Sequence, residues 1–272
     1  MAAALAATGC LSPTPFGSDP EQRDLNARAL QSLRRDPRPI AAVAGRLTFA
    51  ALGDTHGEYD DLVEAAESIN RRQDVELIAH MGDLTDFGLL QEYSWAHEAL
   101  SHLRRPLFVT IGNHDAISSG EQIYLRMYGP LDYSFVHEGV KFVFFNSNSL
   151  EFPGAAPNER WLKKEVRPSA EARAIVLVTH HPPWSSDAPR STRQFYSELL
   201  ETAQITAWIH GHLSEFQLVR YHGVPVLQCG TFQWWREYTL VTLAGGAVSF
   251  QRCKYDDCHE VEPSFDRSEL AP

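Results

Sequence analysis

Five short stretches of the chain concentrate residue types that bind metal ions and move protons. They are GDTHG (53–57), GDLTD (82–86), GNHD (112–115), THHPP (179–183) and IHGHLSEF (209–216). Taken as one set, Asp54, His56, Asp83, Asn113, His180 and His212 offer carboxylate, imidazole and carboxamide donors with no thiolate. That mixture suits a borderline or hard divalent ion such as Mn, Fe or Zn. One ion takes about four to six ligands, so a set this large points to two ions sharing a bridging carboxylate. A pair of ions about 3.5–4 Å apart is the clamp used for in-line displacement at phosphorus. Any one of these residues alone would equally read as a helix cap or turn residue after a strand. The last stretch leaves a question of register. His210-x-His212 is a ligand pattern, and so is Gly-His-x-His, which makes His212 the first ligand and puts Ser214 where the second belongs.

The stretches share a position. RLTFAAL (46–52), VELIAHM (75–81), RPLFVTI (105–111), ARAIVLVT (172–179) and ITAWI (205–209) are apolar runs of buried-strand length, and each ends on one of them. Helical patterns lie between, at roughly 58–72, 88–104, 117–128, 157–166 and 191–203. Strands alternating with helices predict a largely parallel sheet covered by helices, with its ligand site beyond the strands' carboxyl ends. Five polar clusters at five strand ends would therefore converge on one patch. Hairpins are predicted around Glu138-Gly139, His222-Gly223 and Gly245-Gly246, adding antiparallel strands as a second sheet packed on the first.

With 272 residues the chain can build one large α/β domain. Its net charge of −11 excludes nucleic-acid or anionic-membrane binding through bulk electrostatics. An acidic protein that handles phosphate must neutralise it locally, and metal ions are the means.

In this order and at strand ends, GDTHG, GDLTD, GNHD, THHPP and the Gly-His of 211–212 resemble the calcineurin-like metallophosphoesterase superfamily over about residues 46–243. The resemblance implies an α/β fold of two packed mixed β-sheets flanked by helices, in four layers α-β-β-α. It implies a first metal on Asp54 and His56, a second on Asn113, His180 and His212, and Asp83 as the bridge. His114 would be the general acid or a charge stabiliser, oriented by Asp86, with Asp115 as the competing partner. His181 would line the substrate pocket. Ser214 stands where the family usually has a second histidine, and water would fill that position. His210 is the weaker substitute, on the same strand face. The expected reaction is hydrolysis of a phosphoric mono- or diester by metal-activated water, with a metal-poor binding or scaffold module as the alternative and a single-metal hydrolase as a third reading.

His80, His97, His102, His137, His222 and His259 read as surface or hairpin residues, and Trp234-Trp235 as sheet-covering, with the cleft border as the alternative. Residues 1–45 read as an N-terminal tether ending in a short solvated helix, 46–260 as the domain, and 261–272 as a tail. The opening MAAALAATGC has two readings: an Ala-rich tail, or the end of a bacterial lipoprotein signal. The second predicts a lipid anchor on Cys10 and a place in the cell envelope or periplasm. No Lys or Arg precedes the run, and its apolar part is short for a full signal. Cys253 and Cys258 are spaced for a small loop disulfide, which suits an oxidising compartment, and Cys229 reads as a core cysteine.

Overall fold

The structure, a computed structural model, describes residues 17–35 and 45–269. Cys10, the expected lipid site, lies outside the described residues, as do the other parts of the tether and tail not in that range.

The twelve strands are β1 (Arg46–Leu52), β2 (Val75–His80), β3 (Leu107–Val109), β4 (Tyr133–His137), β5 (Val140–Phe144), β6 (Ala174–Val178), β7 (Ala207–His210), β8 (Gln217–Tyr221), β9 (Val224–Gln228), β10 (Glu237–Ala244), β11 (Ala247–Lys254) and β12 (Asp257–Val261). The helices are α1 (Leu25–Arg35), α2 (Tyr59–Arg71), α3 (Leu90–Leu100), α4 (Asn113–Ala116), α5 (Gly120–Met127), α6 (Glu159–Glu165), α7 (Arg190–Thr202) and α8 (Phe232–Trp235). The strands form two six-stranded mixed sheets, ordered β12-β11-β10-β1-β2-β3 and β4-β5-β6-β7-β9-β8.

The motif strands do not share a sheet. β1, β2 and β3 run parallel in the first, whereas β6 and β7 run parallel in the second, between β5 and β9. The β10–β11–β12 hairpins complete the first sheet, β10 lying antiparallel to β1. The clusters still converge, because the sheets pack face to face with the carboxyl ends of the motif strands at one end of the sandwich. Phe49 and Phe108 from one sheet meet Phe142, Phe135 and Phe144 from the other, with ring centroids 5.2 Å apart for Phe49–Phe142 and 4.3 Å for Phe108–Phe135. Each such fully buried side chain contributes about 1.5–3 kcal/mol relative to exposure.

Helices cover both outer faces. α2, α3 and α5 pack on the first sheet through Leu62, Tyr93, Ile123 and their neighbours. α7 lays Phe195, Tyr196, Leu199 and Leu200 on the second, an apolar stripe at helical spacing. The helix expected at 117–128 is α5, and a separate four-residue turn of helix, α4, begins before it at Asn113, with Ser118 at φ 54° between the two. α1, read as solvated, is docked: the Asn26 carboxamide donates to the Val109 carbonyl at 3.1 Å and accepts the Val109 N–H at 2.9 Å. Cys253 and Cys258 are bonded across the β11–β12 hairpin, and Cys229 is free and buried.

Candidate metal centre

Four of the expected ligands sit in the left-handed backbone region that favours glycine: Asp54 (φ 52°), His56 (43°), Asp83 (54°) and His212 (70°). Each such residue costs about 1–3 kcal/mol and persists only where the surroundings over-determine it. Here the loops determine one another. The Asp54 N–H donates to the Gly82 carbonyl at 3.0 Å and the His56 N–H to the Asp83 carbonyl at 3.0 Å. The His212 N–H reaches both Asp54 carboxylate oxygens, at 2.9 and 3.0 Å. Gly211 leaves room for this contact, since a Cβ there would collide with the Asp54 carboxylate. The ends of β1, β2 and β7 are thereby fixed against each other.

The side chains then fall into two groups. Asn113 Oδ1 lies 2.8 Å from His180 Nε2 and 3.1 Å from His212 Nδ1. His180 Nε2 is 3.3 Å from Asp83 Oδ2 and 3.3 Å from His212 Nδ1. Ligand atoms around one ion with bonds near 2.1 Å stand about 3.0–3.4 Å apart, so these four side chains are spaced as one coordination shell. The His180 Nδ1–H is taken by the Met81 carbonyl at 2.8 Å, which turns Nε2 inward. The second group is Asp54, His56 and Asp83, whose donor atoms lie within 4.8 Å of one another. Asp83 belongs to both.

The electrostatics suit a cation. Burial pushes the Asp54 carboxyl well up, the opposing pull of His180 notwithstanding. Burial also opposes ionisation of Asp83, but His180, with smaller help from His56 and His114, outweighs it and holds that carboxyl low. Burial disfavours charge on His180 too, yet Asp83 and Asp54 raise it. His180 therefore keeps its proton beside Asp83 in spite of burial, a place that a divalent ion would take over with release of that proton.

His114 is placed beside this group. Its backbone N–H donates to Asp83 Oδ1 at 3.0 Å, and its ring meets His56 edge-on at 5.1 Å. The expected orientation by Asp86 takes a different form. His114 Nδ1 lies 2.8 Å from the Asp86 peptide carbonyl, while the Asp86 carboxylate lies 3.0 Å from His56 Nδ1. Asp115 is no competitor: its buried carboxylate accepts from the Leu84, Thr85 and Gly112 amides and from the Thr85 hydroxyl, knotting two loops together. His181, expected in the substrate pocket, is 3% exposed and lies behind His212, ring centroids 3.9 Å apart. The buried His210 ring faces Trp184 instead of the donor group, at 5.9 Å. Ser214 lines the cavity of about 210 Å³ onto which Asp54, His56, Asp83, Asn113, His114 and His212 open.

Three residues take on roles other than those first read in the sequence. His80, expected at the surface, is buried: Nδ1 accepts the Gly82 N–H and Nε2 meets the Thr55 hydroxyl, each at 3.2 Å. Since β2 is buried on both faces, its alternate positions are interior too, which was the available signal. Trp234, expected to cover the sheet, is 65% exposed and lines the metal cavity. Asp187, in the loop after THHPP, reaches His212 Nε2 at 3.1 Å and His181 Nε2 at 3.4 Å. No periodic pattern marks a loop acid of that kind.

Two helix-flanked mixed sheets carrying a convergent oxygen and nitrogen donor set at their strand ends define a metallophosphoesterase fold. A family model for calcineurin-like phosphoesterases matches residues 47–216, and the chain belongs to that family. Among solved structures it is similar to purple acid phosphatase PPD1 from yellow lupin seeds, at 11% identity and TM-score 0.63, covering 87% of this chain and 56% of that one. It is also similar to GAP50, described as the anchor in the inner membrane complex of Plasmodium, at 14% identity and TM-score 0.61, covering 82% and 90%. A third is PhoD, at 12% identity and TM-score 0.58, covering 85% and 75%. At these identities the likeness is one of fold. No curated protein matches the chain significantly.

Proposed function

We propose that the chain hydrolyses phosphate mono- or diesters at a pair of divalent ions of the Mn, Fe or Zn kind. The observation that supports this best is the place of Asp83, with Oδ2 3.3 Å from His180 Nε2 and 3.8 Å from His56 Nε2. A carboxylate between two donor groups is what a shared ligand requires. Asp54 and His56 would hold the first ion and Asn113, His180 and His212 the second. When bound, such ions supply Lewis acidity toward phosphoryl oxygens and a water acidified toward neutral pH. His114 gives its Nδ1–H to the Asp86 carbonyl, leaving Nε2, when it too is protonated, to pass that proton to the leaving oxygen or to steady phosphate charge. Asp86 acts on His114 through its peptide, and its carboxylate is left for His56.

The test is hydrolysis of paired aryl mono- and diester phosphates, with elemental analysis of the same preparation. Chelation should abolish turnover and Mn²⁺ should restore it. Full metal occupancy with no hydrolysis of either ester would remove the enzyme reading.

One observation favours a second reading, a metal-poor scaffold of the same fold: Ser214 stands on the cavity wall where an imidazole is expected. The similar GAP50 is described as an anchor. Against it, a chain that has given up catalysis has no use for four strained ligand positions. A lipid anchor on Cys10, with residence in the bacterial envelope, is a further part of the proposal. The Cys253–Cys258 bond supports it, since disulfides persist in oxidising compartments. Membrane fractionation of wild type against Cys10→Ser tests it, release of the variant being the expected result.

A further inference from the structure

We propose that Asp187 is a positioning residue for the metal centre: its carboxylate holds His212 by Nε2, with Nδ1 turned toward Asn113 and His180, and steadies His181 behind it. This rests on the reading of His212 as a ligand. Asp187 Oδ2 stands 3.1 Å from His212 Nε2 and 3.4 Å from His181 Nε2, so one oxygen braces two rings whose centroids are 3.9 Å apart. On its other side the His212 ring presents Nδ1 to Asn113 Oδ1 at 3.1 Å. A neutral imidazole carries one proton on one of two nitrogens. A carboxylate at Nε2 selects the tautomer whose Nδ1 lone pair is free, and strengthens that nitrogen as a donor.

The loop is built to deliver the carboxylate. Ser185 is buried; its N–H donates to the Pro182 carbonyl at 3.1 Å, its carbonyl accepts the Ala188 N–H at 3.2 Å, and its hydroxyl accepts the Asp187 N–H at 3.2 Å. Pro182 and Pro183 stiffen the entry, and α7 starts at Arg190. A short side chain on such a turn is placed with little rotamer entropy to lose. The His212 backbone is held separately by Asp54, so removing Asp187 would free the ring and leave the chain in place.

The experiment is calorimetric titration of apo-protein with Mn²⁺ for wild type, D187N, D187E, H212A and the D187N/H212A double variant. The unfolding midpoint of each apo-variant separates lost metal from lost fold. D187N should weaken the binding event that H212A removes by about 10–100-fold and spare the other, as loss of an outer carboxylate generally does. D187E should recover part of that affinity, and the double variant should bind as H212A does. Wild-type binding by D187N would overturn the proposal, as would equal losses in both events or a further loss on the H212A background. A wild type that takes up no Mn²⁺ would instead sink the metal reading on which it rests.

Discussion

The indole Nε1–H of Trp235 donates to the backbone carbonyl of Ser214 at 2.7 Å, and the same carbonyl accepts the Thr231 N–H at 3.0 Å. Position 214 is thus pinned to the cavity wall, within the same enclosure as Asp54 and His56. A wild-type apo-protein titrated with Mn²⁺ should show two unequal binding events, because the ion assigned to Asp54 and His56 would lack a second imidazole. Ser214→His supplies it and should tighten the weaker event by about tenfold, while His210→Ala changes little. An inert Ser214→His together with a site emptied by His210→Ala would shift the ligand register to His210-x-His212.

His114 can be separated from the ligands by its own backbone. The contact to Asp83 Oδ1 comes from the His114 N–H, which alanine retains. His114→Ala should therefore keep its metal content and lose about 10²–10⁴ in kcat. Metal lost in step with activity would make it a ligand.

Gly211→Ala tests how tightly the two sheets are registered at the centre. The added methyl meets the Asp54 carboxylate, which two bonds from the His212 N–H keep from moving aside. A loss of about 1–3 kcal/mol in unfolding free energy is expected, with weakened binding of the ion assigned to Asp54. A variant with unchanged midpoint and unchanged titration would show that this contact is soft.

Burial lowers the His80 ring from 6.5 to about 3, the nearby Asp83 only partly opposing. Above pH 6.5 the ring is neutral in both folded and unfolded chain and adds no slope. Between 6.5 and about 3 the unfolded chain takes a proton that the folded one refuses, so stability falls as pH falls. His80→Gln should reduce the slope of unfolding free energy over that window by the share of one proton, read from urea unfolding at pH 7, 5 and 4. Parallel curves for the two proteins would contradict it.

The sites at which β1, β2, β3, β6 and β7 end were legible in the sequence because a buried strand running into a polar cluster is a local pattern. Which sheet β6 and β7 join was not, since a strand apolar on both faces pairs equally well with several neighbours. Asn113, His180 and His212 could be named in advance because their motifs carry them. Two buried or loop groups that support the centre escaped notice for physical reasons. His80 is a polar residue in a strand with no solvent face, and Asp187 lies in a loop where only tertiary distance gives it a partner. The Asp86 carboxylate shows the same limit: the family resemblance assigned it to His114, and in the structure it lies 3.0 Å from His56 Nδ1.

Asn26 does more than dock α1. β3 ends the first sheet, and the Asn26 carboxamide meets the N–H and the carbonyl of Val109 as the backbone of a further strand would. At the far sheet the edge strand is β8, and there Ser264 N–H donates to the Leu218 carbonyl and Arg220 N–H to the Phe265 carbonyl, both at 2.9 Å. Segments from the two ends of the described chain therefore close one open edge of each sheet. Unpaired edges are templates for chain-to-chain pairing and aggregation. The parts of the molecule farthest in sequence from the metal motifs act as guards of solubility, and they do so with a handful of hydrogen bonds.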